Sequence, residues 1–185
     1  AHAGIRPERG RSAIAAAAAA VAAMRLGRLD DETTANVGRI AGGGESTNVV
    51  PEHCRVEAEA RSLDPQKAET VVAEMVDHIH DGANAFECDA DVAVERLWPA
   101  YRIRSSATAV AIAEAALGAA GYDPRHIVTG GGSDANAFNA AGFECVNLAN
   151  GTERNHEPGE RVGVAALEGM LDVTLGLIDE AAARC

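Results

Sequence analysis

An α+β unit over residues 1–98 followed by an α/β unit over residues 99–185 is the fold class that this sequence predicts. Three observations predict it. Apolar and polar residues alternate strictly from His53 to Arg61, whereas the stretches on either side carry apolar residues at helical spacing. Cap and stop signals separate these stretches: Gly27, Asp64-Pro65, Gly82 and Gly121. Beyond Trp98-Pro99-Ala100-Tyr101 the order changes to helices alternating with short apolar runs, as in a parallel layer covered by helices.

Ile14, Ala18, Val21 and Met24 share one helical face, and Gly27 follows as a stop, so the first helix is expected from about Gly10 to Leu26. Asp30 to Gly42 reads as a turn and then a strand rich in Thr, Val and Ile, with Gly42 to Ser46 as a loop. In the next strand Cys54, Val56, Ala58 and Ala60 form one face, and His53, Arg55, Glu57, Glu59 and Arg61 the other, the pattern of a half-buried antiparallel strand. Asp64-Pro65 opens a helix with a capping side chain and a proline at its first position. Val71, Met75 and Ile79 give that helix its stripe, and Gly82 is expected to end it. Phe86, Cys88, Ala90, Val92 and Val94 alternate with Glu87, Asp89, Asp91 and Glu95 and predict one more strand. The order α-β-β-α-β is that of a ferredoxin-like sandwich lacking its first strand. In the second unit, helices are expected over about 106–120, 134–141 and 164–183, with strands at Ile127-Val128 and Cys145 to Ala149.

Composition narrows the function classes. The chain has 185 residues, enough for one ordinary domain or a small domain plus part of another. Its formal charge of −12 removes the basic face that nucleic acid or an anionic membrane would need, so neither is an expected partner. The longest apolar run, Ala13 to Met24, is mostly alanine, too short to span a bilayer and without signal-peptide flanks, and a cytoplasmic location is the expectation. Cys54, Cys88, Cys145 and Cys185 are scattered, with no Cys-x-x-Cys, which suggests reduced thiols rather than a disulfide frame or zinc ribbon.

The chemistry concentrates in Gly130-Gly131-Gly132-Ser133-Asp134-Ala135-Asn136 and in Asn155-His156-Glu157-Pro158-Gly159-Glu160. Three glycines allow a turn with positive φ and a close approach of backbone N–H groups to a ligand, with Ser133 placed to begin a helix. A phosphate loop would need Gly-Lys-Ser/Thr, and here Asp134 follows Ser133; a nucleophile elbow would need glycine where Ala135 stands. A structural turn or a cradle for a carbonyl or anionic oxygen remains. His156 follows the apolar run Cys145 to Leu148 and is expected on a loop at the same sheet edge, where metal ligands commonly lie.

These segments do not stand alone. Ala1-His2-Ala3-Gly4 with Pro7-Glu8-Arg9-Gly10, Gly27 to Asp30, Thr33 to Gly38, Thr47 to Glu52, Glu59 to Ser62, the glycine-serine loop and the His156 loop together resemble the M20 family of dinuclear zinc exopeptidases. Within it the likeness is to the peptidase T-like, tripeptide aminopeptidase-like branch. The segments occur in family order and span essentially the whole chain. Family members are about twice as long, with a lid domain inserted between two halves of a catalytic domain. The resemblance therefore implies a lid or dimerisation domain at 1–98 and the second half of an α/β zinc-exopeptidase catalytic domain at 99–185. The family's His-x-Asp motif and Glu-Glu pair have no counterpart here, since no His precedes Asp by two residues and no Glu-Glu doublet occurs.

The resemblance also implies roles. His156, with Glu160-Arg161-Val162 behind it, corresponds to the last zinc ligand, and the intact enzyme would hold two zinc ions, a water activated between them and a glutamate general base. His2 corresponds to a lid histidine that stabilises the oxyanion, in cis or from a second subunit. Asn48 is either a turn asparagine or a lid asparagine of similar role. Arg61 corresponds to the clamp for a substrate carboxylate, and Gly131, Gly132 and Ser133 to the substrate cradle. The implied partners are a short peptide substrate, the missing N-terminal catalytic half and a second copy paired through the lid. An amidohydrolase acting on N-acyl amino acids is the alternative within enzymes. A non-catalytic binding or dimerisation module is the alternative for the isolated chain, which is expected to be inactive.

Overall fold

The computed structural model describes residues 1–184; the expectation for Cys185 lies outside the described residues. The chain divides into two compact units, Ala1–Ala100 and the remainder from Tyr101 onward.

In the first unit, a 3-10 turn at Pro7–Arg9 precedes helix α1 (Ala13–Ala23), whose N-terminus is closed by Ser12 Oγ accepting from the Ala15 N–H at 3.2 Å. Three antiparallel strands follow in the order β1 (Gly27–Arg28), β2 (Thr33–Gly42), β3 (Cys54–Ser62). The β2–β3 register runs from Thr33 opposite Ser62 to Gly42 opposite Cys54, and shifts by one residue at Gly38, a bulge between Val37 and Arg39. Helix α2 (Pro65–Ala85) begins as the sequence dictates, with Asp64 accepting from the Gln66 N–H at 2.9 Å and Pro65 in the first turn. Met24, Ala35, Val71 and Met75 form the core, with Leu29, Val37, Ala60 and Ile79 packed against it. The core is therefore the sandwich of one sheet face against the α2 stripe.

Gly82 does not end α2. It lies buried inside the helix, which continues to Ala85, and an added Cβ would stand 2.6 Å from the Ala16 carbonyl oxygen and 2.8 Å from Ala20 Cβ. The alanine face of α1 and this glycine let two helix backbones approach closely. The expected strand from Phe86 to Glu95 is also corrected. Phe86 caps α2, and beyond it Cys88, Ala90 and Val92 are half-buried while Asp89 and Asp91 are exposed, yet among the described residues no strand ladder includes them. Alternation dictates an extended, two-sided chain; a strand additionally needs a neighbour to pair with. The unit is thus α+β, with α-β-β-β-α order and an extended tail in place of the last strand of a ferredoxin-like sandwich.

The second unit contains α3 (Thr108–Ala119), α4 (Asp134–Ala140), the two-stranded antiparallel hairpin β4 (Thr152–Glu153) with β5 (Arg161–Val162), and α5 (Val164–Ala182). Gly121, at φ 85°, ends α3 as expected, and Gly142, at φ 86°, ends α4. Helices α3 and α5 pack on each other, with Val110, Ala113, Ala116 and Val173 buried. Among the described residues neither Ile127-Val128 nor Cys145 to Ala149 joins a ladder, so the expected parallel layer is not formed. Ile127 and Val128 are 74% and 70% exposed, apolar residues of strand type without a sheet to cover them.

Candidate functional site

In the first unit, residues 1–3 run antiparallel to residues 48–50. His2 bridges Val49, the Ala3 N–H donates to the Asn48 carbonyl at 2.8 Å, and the Val50 N–H donates to the Ala1 carbonyl at 2.9 Å. His2 and Asn48, far apart in sequence, are thereby held side by side, and His2 is not a frayed end. The Gly4 N–H donates to His2 Nδ1 at 3.1 Å. An Nδ1 that accepts leaves the proton of neutral imidazole on Nε2, so His2 presents an exposed N–H donor. That is the polarity an oxyanion requires.

Arg61 lies on β3 opposite Thr34, and its fork is occupied. Nε donates to Glu59 Oε1 at 3.1 Å and Nη2 to Glu59 Oε2 at 2.9 Å, a bidentate pair with a carboxylate two residues back on the same strand face. Glu59 therefore already engages two donors of the Arg61 fork. Sequence reading placed Glu59 and Arg61 on one face without drawing the consequence that they neutralise each other.

A separate cleft of about 300 Å³ opens where α2 begins, between Arg25, Asp30, Thr33 and Lys67. Its charges are mutually satisfied. Lys67, the one lysine in the sequence, reaches Glu32 Oε1 at 2.5 Å and Asp30 Oδ2 at 3.3 Å. The Glu32 N–H donating to Asp30 at 2.9 Å, then the Thr33 hydroxyl and Lys67, lower the Asp30 pKa to about 2. These carboxylates raise the Lys67 ammonium in turn. The corner is a clamp between the β1–β2 turn and α2.

In the second unit, the glycine loop differs from its expected form. Gly130 and Gly131 do not adopt positive φ, and a Cβ on Gly130 would meet nothing within 4 Å. The loop is open and exposed, held at its end by side chains. The Ser133 N–H donates to Asn136 Oδ1 at 3.0 Å, and Asn136 is buried at 6% exposure. Ser133 Oγ accepts from Asn147 Nδ2 at 2.7 Å, and the same nitrogen lies 3.4 Å from the Tyr101 hydroxyl. Asn139 then grips Cys145 on both sides, donating to its carbonyl at 2.7 Å and accepting from its N–H at 3.2 Å. A side-chain amide thus does for the extended 145–149 segment what a neighbouring strand would do. Tyr101 and Asn147 carried no site assignment in the sequence; the available signal was Asn147 as the one polar residue in an apolar run.

His156 does not emerge from the Cys145 to Leu148 segment. It sits on the loop of the β4–β5 hairpin, where the paired Glu153 and Arg161 side chains also form an ion pair at 2.6 Å. Within this loop Arg154, His156 and Gly159 have φ of 59°, 62° and 88°. The His156 N–H is anchored by Glu160 Oε2 at 3.1 Å, and Arg154 pairs with Glu157 at 3.1 Å. A histidine in the left-handed region costs on the order of 1–2 kcal/mol and persists only where its surroundings impose it. Arg154 shares that conformation, so the loop as a whole is held in a strained form by its ion pair and the Glu160 anchor.

Among the described residues, no three His, Cys, Asp or Glu side chains converge as a group that could hold a metal ion. One exposed imidazole does not make a dinuclear centre, so the residues of this chain do not by themselves fit the two zinc ions that the resemblance implied.

Residues 1–87 match the peptidase dimerisation domain of M20 peptidases. The chain is 39% identical over 182 residues to the curated Bacillus subtilis protein YqjE, a match covering 98% of the chain and 49% of that protein. It is 41% identical to a solved aminopeptidase PepT from Bacillus cereus (TM-score 0.75; 98% of this chain, 48% of that one). To a tripeptidase structure from Staphylococcus aureus it is 37% identical (TM-score 0.82; 100% and 49%). An amidase of the hydantoinase/carbamoylase family from Burkholderia vietnamiensis is 25% identical (TM-score 0.71; 98% and 45%). The chain spans about half the length of each of these proteins. Residues 1–87 thus carry the dimerisation domain of M20 peptidases, and likeness to an aminopeptidase PepT and a tripeptidase structure runs along nearly the whole chain.

Proposed function

We propose that this chain is part of a zinc-dependent aminopeptidase that hydrolyses short peptides. The observation that carries this reading is the likeness to two peptidases, one titled an aminopeptidase and one a tripeptidase, at 41% and 37% identity along nearly the whole chain. The adjacency of His2 and Asn48 supports it. In this reading His156 is one metal ligand, and the other ligands come from a polypeptide corresponding to the other half of the relatives' length. His2, through its Nε2–H, and Asn48 face the oxygen that gains charge. Arg61 grips the free carboxylate of the peptide, and Gly131, Gly132 and Ser133 line the cradle. A dimerisation domain implies that two copies pair, which would let His2 act across the interface. The proposed location is the cytoplasm; among the described residues no helix is long and apolar enough to cross a membrane.

A second reading, amide hydrolysis of N-acyl or N-carbamoyl amino acids, is favoured by the carbamoylase-family likeness. The test is direct. The intact gene product and this chain are assayed side by side on a tripeptide and on an N-acyl amino acid, with zinc and with chelator. Tripeptide turnover by the intact protein, abolished by chelation, is the expected result. Turnover of the acyl amino acid alone would select the second reading, and no turnover of either by the intact protein would leave a binding or dimerisation role.

A further inference from the structure

We propose that Asn147 is a positioning residue that commits the hydroxyls of Ser133 and Tyr101 as hydrogen-bond donors toward the acyl oxygen of a bound peptide. The proposal rests on the reading of the glycine-serine loop as a substrate cradle and deepens it.

The argument is one of proton direction. A hydroxyl carries a single proton and two acceptor sites. Asn147 Nδ2 has two protons and no lone pair, and it lies 2.7 Å from Ser133 Oγ and 3.4 Å from the Tyr101 oxygen. Both oxygens therefore accept from the amide, the second at the long limit of such a bond, and both keep their own protons free to donate elsewhere. Two donors organised around one nitrogen suit a carbonyl oxygen, which only accepts.

The framework that holds this arrangement is independent of any ligand. Asn139 clasps the backbone of Cys145 from both sides, which fixes the extended segment two residues before Asn147. Asn136, buried, accepts from the Ser133 N–H, which fixes the serine backbone. Burial, with Cys145 adding, pushes the Tyr101 phenol up, so that it remains a protonated donor through neutral pH. Ser133 and Asn147 are themselves exposed, so the donors are accessible.

The test uses the intact gene product with a tripeptide substrate and compares Ser133→Ala, Asn147→Ala, Asn147→Asp and the double variant Asn147→Asp/Ser133→Ala. Aspartate matches asparagine in size but only accepts, so it turns both hydroxyl protons inward. The expected result for Asn147→Asp is a loss in kcat of about tenfold or more, the scale of one missing donor. KM and thermal midpoint should stay near those of the parent. In the Ser133→Ala background the same change should cost clearly less, because the nearer of the two hydroxyls it acts through is gone. Equal losses in the two backgrounds, or losses that track a lowered midpoint in both Asn147 variants, would mean that Asn147 only supports the fold and would overturn the proposal. Full kcat in Ser133→Ala would remove the cradle reading itself, and the proposal with it.

Discussion

At the scale of single residues, the two histidines of interest are both held by their backbones. His2 was legible only through family resemblance, because nothing in its neighbours announces a strand partner 47 positions away; the bridge to Val49 shows why it is ordered. His156 was singled out as a metal ligand by resemblance, but its left-handed backbone was not legible, since side-chain identity does not reveal φ. That strain is testable. His156→Gly should be more stable than His156→Ala by about 1 kcal/mol, because alanine keeps the left-handed penalty and glycine does not. Both should lose the imidazole equally, which paired thermal denaturation and zinc-binding measurements would separate. At the carboxylate clamp, Arg61→Ala in the intact protein should raise KM for free-carboxylate peptides with little effect on amidated ones. Glu59→Gln should lower it, since the competing internal carboxylate loses its charge. Opposite responses support the clamp, whereas a KM rise in both variants would show that the pair is only structural.

At the scale of elements, helices α1 and α2 and strands β2 and β3 fall within a few residues of their sequence expectations, because capping at Ser12 and Asp64 and period-2 patterning are local causes. The strands that failed, 86–95, 127–128 and 145–149, failed for one reason. Their patterns specify extension and sidedness, while the ladder depends on a partner elsewhere. Gly82 was misread because a stop glycine and a packing glycine look alike in sequence. Gly82→Ala should destabilise the first unit by roughly 1–3 kcal/mol through overpacking, despite the ~1 kcal/mol that alanine offers inside a helix. An increase in Tm would show that α1 and α2 can separate without cost. The Asp30–Lys67 corner carries a pH signature. Asp30 is depressed from 3.8 to about 2, so its contribution to stability is fully present above about pH 4 and is lost as pH falls toward 2. Asp30→Asn should be less stable at pH 7 and lose less between pH 4 and 2 than the parent, by thermal melts across that range. Parallel melts for the two proteins would remove the clamp as a stabilising element.

At the scale of the whole molecule, the two units leave different surfaces uncovered. The first carries the dimerisation domain and is expected to pair with a second copy. The second leaves Val164, Leu167, Leu171, Leu175 and Ile178 exposed along one face of α5, beside a sequence whose likeness covers only about half of each relative. A stripe at spacings of three and four, each residue more than half exposed, is what a helix presents to a packing partner rather than to water. We expect the isolated chain to self-associate without hydrolysing tripeptides, and to recover zinc-dependent hydrolysis when co-expressed with a polypeptide matching the other half of a relative. The charge of −12 opposes contact between copies, so self-association should strengthen as salt rises from low to physiological ionic strength. Leu171→Glu with Leu175→Glu should abolish recovery of hydrolysis while leaving the dimer formed through the first unit. Size-exclusion chromatography with light scattering, run beside the co-expression assay, decides between outcomes. A monomer at all salt concentrations contradicts the pairing, and recovery undiminished by the two glutamates contradicts the role of the α5 face.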